Sequence, residues 1–261
     1  MSLSETTVAE LHELAGRYPE KRSALLPMLH LVQSAEGHVT NEGIEVCADI
    51  LGITAAEVSG VATFYTMYKR RPMGTHHVGV CTNTLCAVMG GDLIFERLKA
   101  HLDVGNDETT DDGRVTLEHI ECNAACDFAP VMTVNWEFFD QQTPESAIEV
   151  VDRLRAGETV QATRGATITS WREAERVIAG FEDGLVDEGP TAAGASLAGL
   201  EIAKEQGWAA PAYGDVSTRS SGEGTASTKE GAVEQADTSR AQTETVIEQS
   251  PADTAEEGKD D

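Results

Sequence analysis

The chain has 261 residues, with 45 acidic against 19 basic side chains and a formal net charge of -26. A surface of that sign repels nucleic-acid phosphates and anionic lipid, so neither is expected as a direct partner. No apolar run approaches the roughly 20 residues of a membrane span, and the opening MSLSETTVAEL has neither a signal nor a transit pattern, which predicts a soluble chain working where it is made.

Residues 1–75 read as an N-terminal helical bundle and linker, with helices near 6–17, 20–36, 41–51 and 54–68. Thr7 followed by Glu10, and Thr54 followed by Glu57, have the spacing of capping boxes. Gly37 and Gly52 stand where helix ends need a left-handed residue. Pro27 interrupts SALLPMLHLVQ and predicts a kink there. Cys47 shares a helical face with Ile44 and Leu51 and reads as a small buried apolar residue. The basic, Pro/Gly-containing KRRPMG at 69–74 marks a boundary.

From 76 to 160 the texture changes to short strands, HHVGVC (76–81), VTLEHIEC (115–122), VMTVN (131–135) and EFF (137–139). A helix with Met89, Leu93, Ile94, Leu98 and Leu102 inward separates the first two. Another opens at Thr143 and Pro144, carries Ile148, Val151 and Leu154, and stops at Gly157. The order β-α-β-β-β-α implies a right-handed parallel crossover followed by an antiparallel meander. The fold class is therefore α+β.

Residues 161–213 read as a partly helical extension, with one helix in SWREAERVIAGF (170–181). The stretch 197–213, with Trp208 and Tyr213, is a candidate for docking on a partner. Residues 182–261 hold 18 acidic and 5 basic residues, half of the net charge. Beyond Tyr213 the large apolar residues are too few to offset the roughly 1 to 2 kcal/mol of backbone entropy per ordered residue, so 214–261 is expected to be a disordered acidic tail.

The four remaining cysteines carry the chemistry. Cys81 ends one strand and Cys86 opens the next helix; Cys122 ends the second strand and Cys126 follows it. Parallel neighbouring strands point their C-terminal ends the same way, so both loops emerge on one sheet edge and four thiols converge. The pattern is C-x4-C, a gap of 35 residues, then C-x3-C. In a reducing compartment such clusters signal metal or redox chemistry rather than disulfides. Structural zinc favours tighter knuckles that reach one ion at about 2.3 Å, whereas a [2Fe-2S] rhomb suits two longer-spaced pairs. Spacing alone leaves zinc and unliganded redox thiols open beside the cluster.

Three stretches, GITAAEVSGVATFYTMY, MGTHHVGVCTNTLCAVMGG and ECNAACDFAPVMTVNWEFFDQQTPE, resemble the NuoE-type subunits of NADH:quinone oxidoreductase, respiratory complex I, over roughly residues 5–157. The resemblance implies a helical bundle before a thioredoxin-like domain, with Cys81, Cys86, Cys122 and Cys126 ligating one [2Fe-2S] cluster that exchanges single electrons. It also places Pro130 where thioredoxin-like folds often hold a cis proline, although trans is the default for an X–Pro bond. Gly90 and Gly91 mark either a close approach of backbone to the cluster or to a partner subunit, or an irregular helix entry.

Three positions, in two loops, depart from the family. Asn83 stands where a glycine is common, as one of the few other residues that tolerates positive φ, and Asn123 and Ala124 replace a Leu-Gly pair. No G-x-G-x-x-G follows a strand, so no nucleotide site is expected on this chain; the resemblance implies that NADH and FMN sit on an adjacent NuoF-type flavoprotein, with a NuoG-type iron-sulfur subunit nearby. The complex would hold the chain at the cytoplasmic face of the membrane. The competing roles are the same small subunit in an NAD-reducing hydrogenase or an NAD-dependent formate dehydrogenase, and a zinc-stabilised assembly module.

Overall fold

In the computed structural model, residues 3–165, 167–184, 188 and 194–209 are described, so the expected tail at 214–261 lies outside the described residues. Helix α1 (Glu5–Gly16) is capped by Ser4, whose hydroxyl accepts the Thr7 N–H at 3.0 Å. The Thr7–Glu10 pair is not the cap: Thr7 is buried inside the helix, and Glu10 is gripped through both carboxylate oxygens by Arg176. A 3-10 turn over Lys21–Ala24 precedes α2 (Leu25–Glu36). Pro27 thus falls in the first helical turn, where its missing N–H has no intrahelical acceptor, and the expected mid-helix kink has no cause.

Helix α3 (Asn41–Leu51) follows its Thr40 cap, and α4 (Ala55–Phe64) opens on the Thr54–Glu57 capping box. Gly37 and Gly52 end their helices in the left-handed conformation. Helix α4 stops short of the expected residue 68. The chain turns at Tyr65 into an extended conformation that sends Tyr68 into the core, its hydroxyl donating to Leu26 O at 2.9 Å. Leu11, Met28, Leu29, Val32, Cys47 and Val58 are fully enclosed in this helical core. Burial pushes the Cys47 thiol up to about 12, so it stays protonated and acts as an apolar residue.

The second core lies on a sheet of order β2-β3-β1-β4-β5. Strands β1 (His76–Cys81) and β3 (Val115–Ile120) run parallel with Cys81 opposite Ile120, and the short β2 (Glu108–Thr109) edges the sheet. Strand β4 (Met132–Val134) pairs with β1, and β5 (Glu137–Phe139) turns back onto β4. The simple meander expected after β3 is not what forms: the chain crosses the end of β1 and enters the sheet on its far side, with the Cys81 N–H donating to Val131 O at 3.1 Å. That crossing segment is Glu121–Val131, the one with the second cysteine pair.

Helices α6 (Gly91–Leu102) and α7 (Pro144–Arg155) cover the sheet through Ile94, Leu98, Val151 and Leu154. Between β1 and α6 sits the short α5 (Thr84–Val88). The chain breaks at Met89 and Gly90, so Met89 is not on the α6 face, and Leu93 falls beside the Ile94, Leu98 and Leu102 stripe rather than on it. Both are more than half exposed, against the inward position that a single continuous helix would impose.

After the sheet the chain returns to the helical core. Helix α8 (Trp171–Ile178) lies against α2, with Trp171 and Glu175 fully buried and Ala179 and Phe181 completing the apolar cluster. Helix α9 spans Gly194–Glu205; Leu200, Ile202 and Trp208 are exposed. Tyr213 lies outside the described residues. Among the described residues no helix is long and apolar enough to cross a membrane.

Candidate metal centre

The four cysteines meet at one end of the sheet. Cys81 closes β1, Cys86 sits within α5, and the crossing segment brings Cys122 and Cys126 over them; together with Ile120, Asn123, Ala125 and Val131 they line one small pocket. Cys81 and Cys86 are buried in a cluster with Ile120, Ala125, Ala129 and Val131, whereas Cys122 is exposed and Cys126 half-buried. None is in a disulfide. The sulfurs of Cys122 and Cys126 stand 3.5 Å apart.

Electrostatics register the same convergence. Burial, together with the neighbouring Cys86 and Cys122 thiols, pushes Cys81 up to about 11, and contact with Cys122 raises Cys126. These thiols hold their protons in the metal-free chain, and a metal that binds them as thiolates must displace those protons to solvent. All four thiols line one pocket, with those of Cys122 and Cys126 in direct contact. Paired soft donors across a pocket fit a two-iron cluster, in which each metal takes two thiolates.

The backbone is shaped to the pocket. The Ala124 N–H points at Cys122 Sγ from 3.4 Å, and the Asn83 N–H bonds to the Cys81 sulfur. Such donors stabilise charge on ligand sulfur. Asn83 has an ordinary φ of -78°, so the tolerance of positive φ expected of it is not used; its amide instead donates to Ile120 O at 3.2 Å and ties β3 to the loop. Of the glycine pair, Gly91 makes a close approach to the chain's own backbone. A methyl there would run into the carbonyl of Cys81 and stand 2.9 Å from that of Cys86, so both cysteines' backbones are involved. Gly90 takes φ +111° at the start of α6. The Ala129–Pro130 peptide is cis, against the trans default.

Ala124, exposed and without packing to lose, is held at φ +57°. Left-handed backbone costs an L-residue about 1 kcal/mol that glycine avoids, partly offset by glycine's freer unfolded chain. Ala124→Gly is therefore expected to raise the stability of the metal-free chain by up to about 1 kcal/mol in thermal unfolding. A loss of stability would mean that the loop is not strained at this residue.

Two supports of the site carry no local sequence signal. Glu118 on β3 accepts from buried His77 at 2.6 Å and from the Lys69 ammonium. Burial opposes its charge, but these two partners outweigh it and hold its pKa down, while burial pulls His77 down. Arg164, in a stretch without clear periodicity, reaches back to the turn that holds Cys126.

A thioredoxin-like sheet with two cysteine pairs at one end has the frame of a small ferredoxin, whereas a dithiol oxidoreductase would carry its pair as C-x-x-C. Comparison with known proteins agrees. The model of the thioredoxin-like [2Fe-2S] ferredoxin family matches residues 11–155. The chain is 62% identical over 200 residues to the NuoE-type subunit of the NADH-quinone oxidoreductase of Mycobacterium bovis, covering 76% of this chain and 79% of that protein. It is 36% identical over 157 residues to the corresponding subunit of Rickettsia bellii, covering 59% and 94%. Among solved structures, a thioredoxin-like [2Fe-2S] ferredoxin from Aquifex aeolicus aligns with a TM-score of 0.27 and 24% identity over 33% of this chain and 90% of that one. The chain belongs to the thioredoxin-like [2Fe-2S] ferredoxin family, as one of its NuoE-type members.

Proposed function

We propose that the chain is the electron-transfer subunit of the NADH-oxidising module of an NADH-quinone oxidoreductase, with Cys81, Cys86, Cys122 and Cys126 holding one [2Fe-2S] cluster. The observation that supports it above others is the meeting of four disulfide-free thiols, from two strand ends, in a single pocket. When bound, the cluster supplies a one-electron carrier. The protein supplies the rest: Cys81 and Cys86 wall the pocket off from water, and the Asn83 and Ala124 amides face ligand sulfurs.

NADH and FMN are assigned to a NuoF-type flavoprotein partner, because this chain has no dinucleotide fingerprint, and a NuoG-type subunit is placed nearby. Helix α5, which carries Cys86, presents Leu85 and Val88 to solvent, with Met89 and Leu93 just beyond, and Val88 is 80% exposed. An uncharged face beside the pocket, on a chain of net charge -26, suits burial against the flavoprotein that exchanges the electron. Through that complex the chain would work at the cytoplasmic side of the membrane without entering it.

The test is EPR of the anaerobically purified, dithionite-reduced chain, with iron and acid-labile sulfide measured on the same sample. The expected result is a spin-half signal with about two irons and two sulfides per chain. Stoichiometric zinc with no signal would overturn the electron-transfer role and leave a structural module.

A further inference from the structure

Arg164 lies beyond the end of the family match at residue 155 and well past the last cysteine, yet its guanidinium is 11% exposed. Its Nε and Nη2 donate to the two carboxylate oxygens of Asp140, at 2.7 and 2.8 Å, in a fork that raises the guanidinium pKa. The same plane lies 4.8 Å from the Phe138 ring centre and 5.3 Å from that of Phe128, and Nη2 stands 3.9 Å from Asp127. Phe138 packs on the apolar cluster around Cys81 and Cys86. Asp127 and Phe128 complete the 3-10 turn that begins at Cys126.

We infer that Arg164 is a positioning residue for the Cys126 turn, a role that rests on the proposed cluster ligation. The turn's own bonds are few: Phe128 N–H to Ala125 O and Ala129 N–H to Cys126 O. The link from Phe128 O to the Gln141 N–H and the Arg164 stack connect it to the β5 end of the sheet. Arg164 is held in turn by its neighbour, since the Thr163 N–H donates to Phe138 O and its hydroxyl accepts from the Asp140 N–H. A planar, five-donor group can stack between two rings and fork onto a carboxylate at once; an ammonium cannot.

The full chain is compared with Arg164→Lys, which keeps the charge, and Arg164→Met, which removes it. Iron loss to a chelator and the EPR line shape of the reduced cluster are read at a temperature where every apo chain is folded. Both variants are expected to lose iron about tenfold faster, with broadened lines, because the stacking and fork contacts are lost in each. If Arg164→Met does not fold, Arg164→Lys decides alone. A lysine variant indistinguishable from the parent would overturn the positioning role and leave at most an effect of charge. A parent chain that binds no iron and sulfide would instead bring down the proposed function, and this inference with it; a parent that binds them beside unchanged variants would bring down this inference only.

Discussion

Cys122→Ala is expected to abolish cluster retention while leaving the metal-free fold intact. Alanine offers no donor atom, so one iron would lose half of its protein ligands, and the loss cannot be made up by Cys47, which is buried in the other core. Of the four cysteines Cys122 is the one to change first. Cys81 and Cys86 are packed within the apolar cluster beneath the pocket, so a smaller or polar side chain there would perturb packing as well as ligation. Cys122 is exposed, and its sulfur contacts the Cys126 sulfur and the Ala124 amide.

The readouts are the visible spectrum, iron and sulfide content, and the thermal midpoint of the apo form. The parent holo chain is stabilised by whatever free energy the bound cluster contributes, so the fair comparison is apo against apo, where the difference should stay within about 0.5 kcal/mol for an exposed site. Retention of a full complement of iron and sulfide by the variant would remove Cys122 from the ligand set. A collapse in apo stability would show that the loop was structural before it was a metal site.

Much of the ferredoxin half was legible because its signals are local. HHVGVC is a strand of the expected length, Thr143 caps α7, and Gly157 stops it. The meeting of the cysteines followed from strand direction alone. What escaped depends on contacts distant in sequence. The meander failed because β4 chooses β1 over β3, a decision made by pairing at Val78, Gly79 and Val80 rather than by anything in the connecting loop. Met89 and Leu93 have helical spacing with Ile94 and Leu98, but spacing cannot show that the helix is broken at Gly90. Arg164 and Glu175 are charged residues in polar stretches, and nothing local distinguishes a solvated charge from one placed in the interior.

Glu175→Leu is expected to destabilise the apo chain by about 3 to 5 kcal/mol, the usual consequence of taking one partner from a buried charged network. The carboxylate is fully buried and holds Nδ1 of His30 at 2.6 Å and the side-chain amide of Gln33 at 2.7 Å through one oxygen. Its other oxygen accepts the Trp136 indole N–H at 2.9 Å. Leucine adds apolar contact but takes the acceptor from buried His30 and half-buried Trp136 and leaves the Gln33 amide only Met67 O, and each orphaned buried group costs about 1 to 3 kcal/mol. Glu175→Gln keeps one acceptor oxygen while turning an amide donor toward other donors, so it should fall between parent and leucine.

The consequence reaches the sheet. Asn135 and Trp136 form the two-residue β4–β5 turn with φ of 50° and 73°, a conformation that asparagine adopts readily and tryptophan does not. Trp136 is held there by Glu175 and by packing on His77 and Trp171, at 5.0 and 5.6 Å between ring centres. Release of the indole should therefore loosen a hairpin whose β4 pairs with the strand ending in Cys81, seen as faster amide exchange at Met132–Val134 together with the fall in denaturant midpoint. If Glu175→Leu unfolds at the parent's midpoint with unchanged exchange, the network is dispensable and α8 is held by its apolar residues alone.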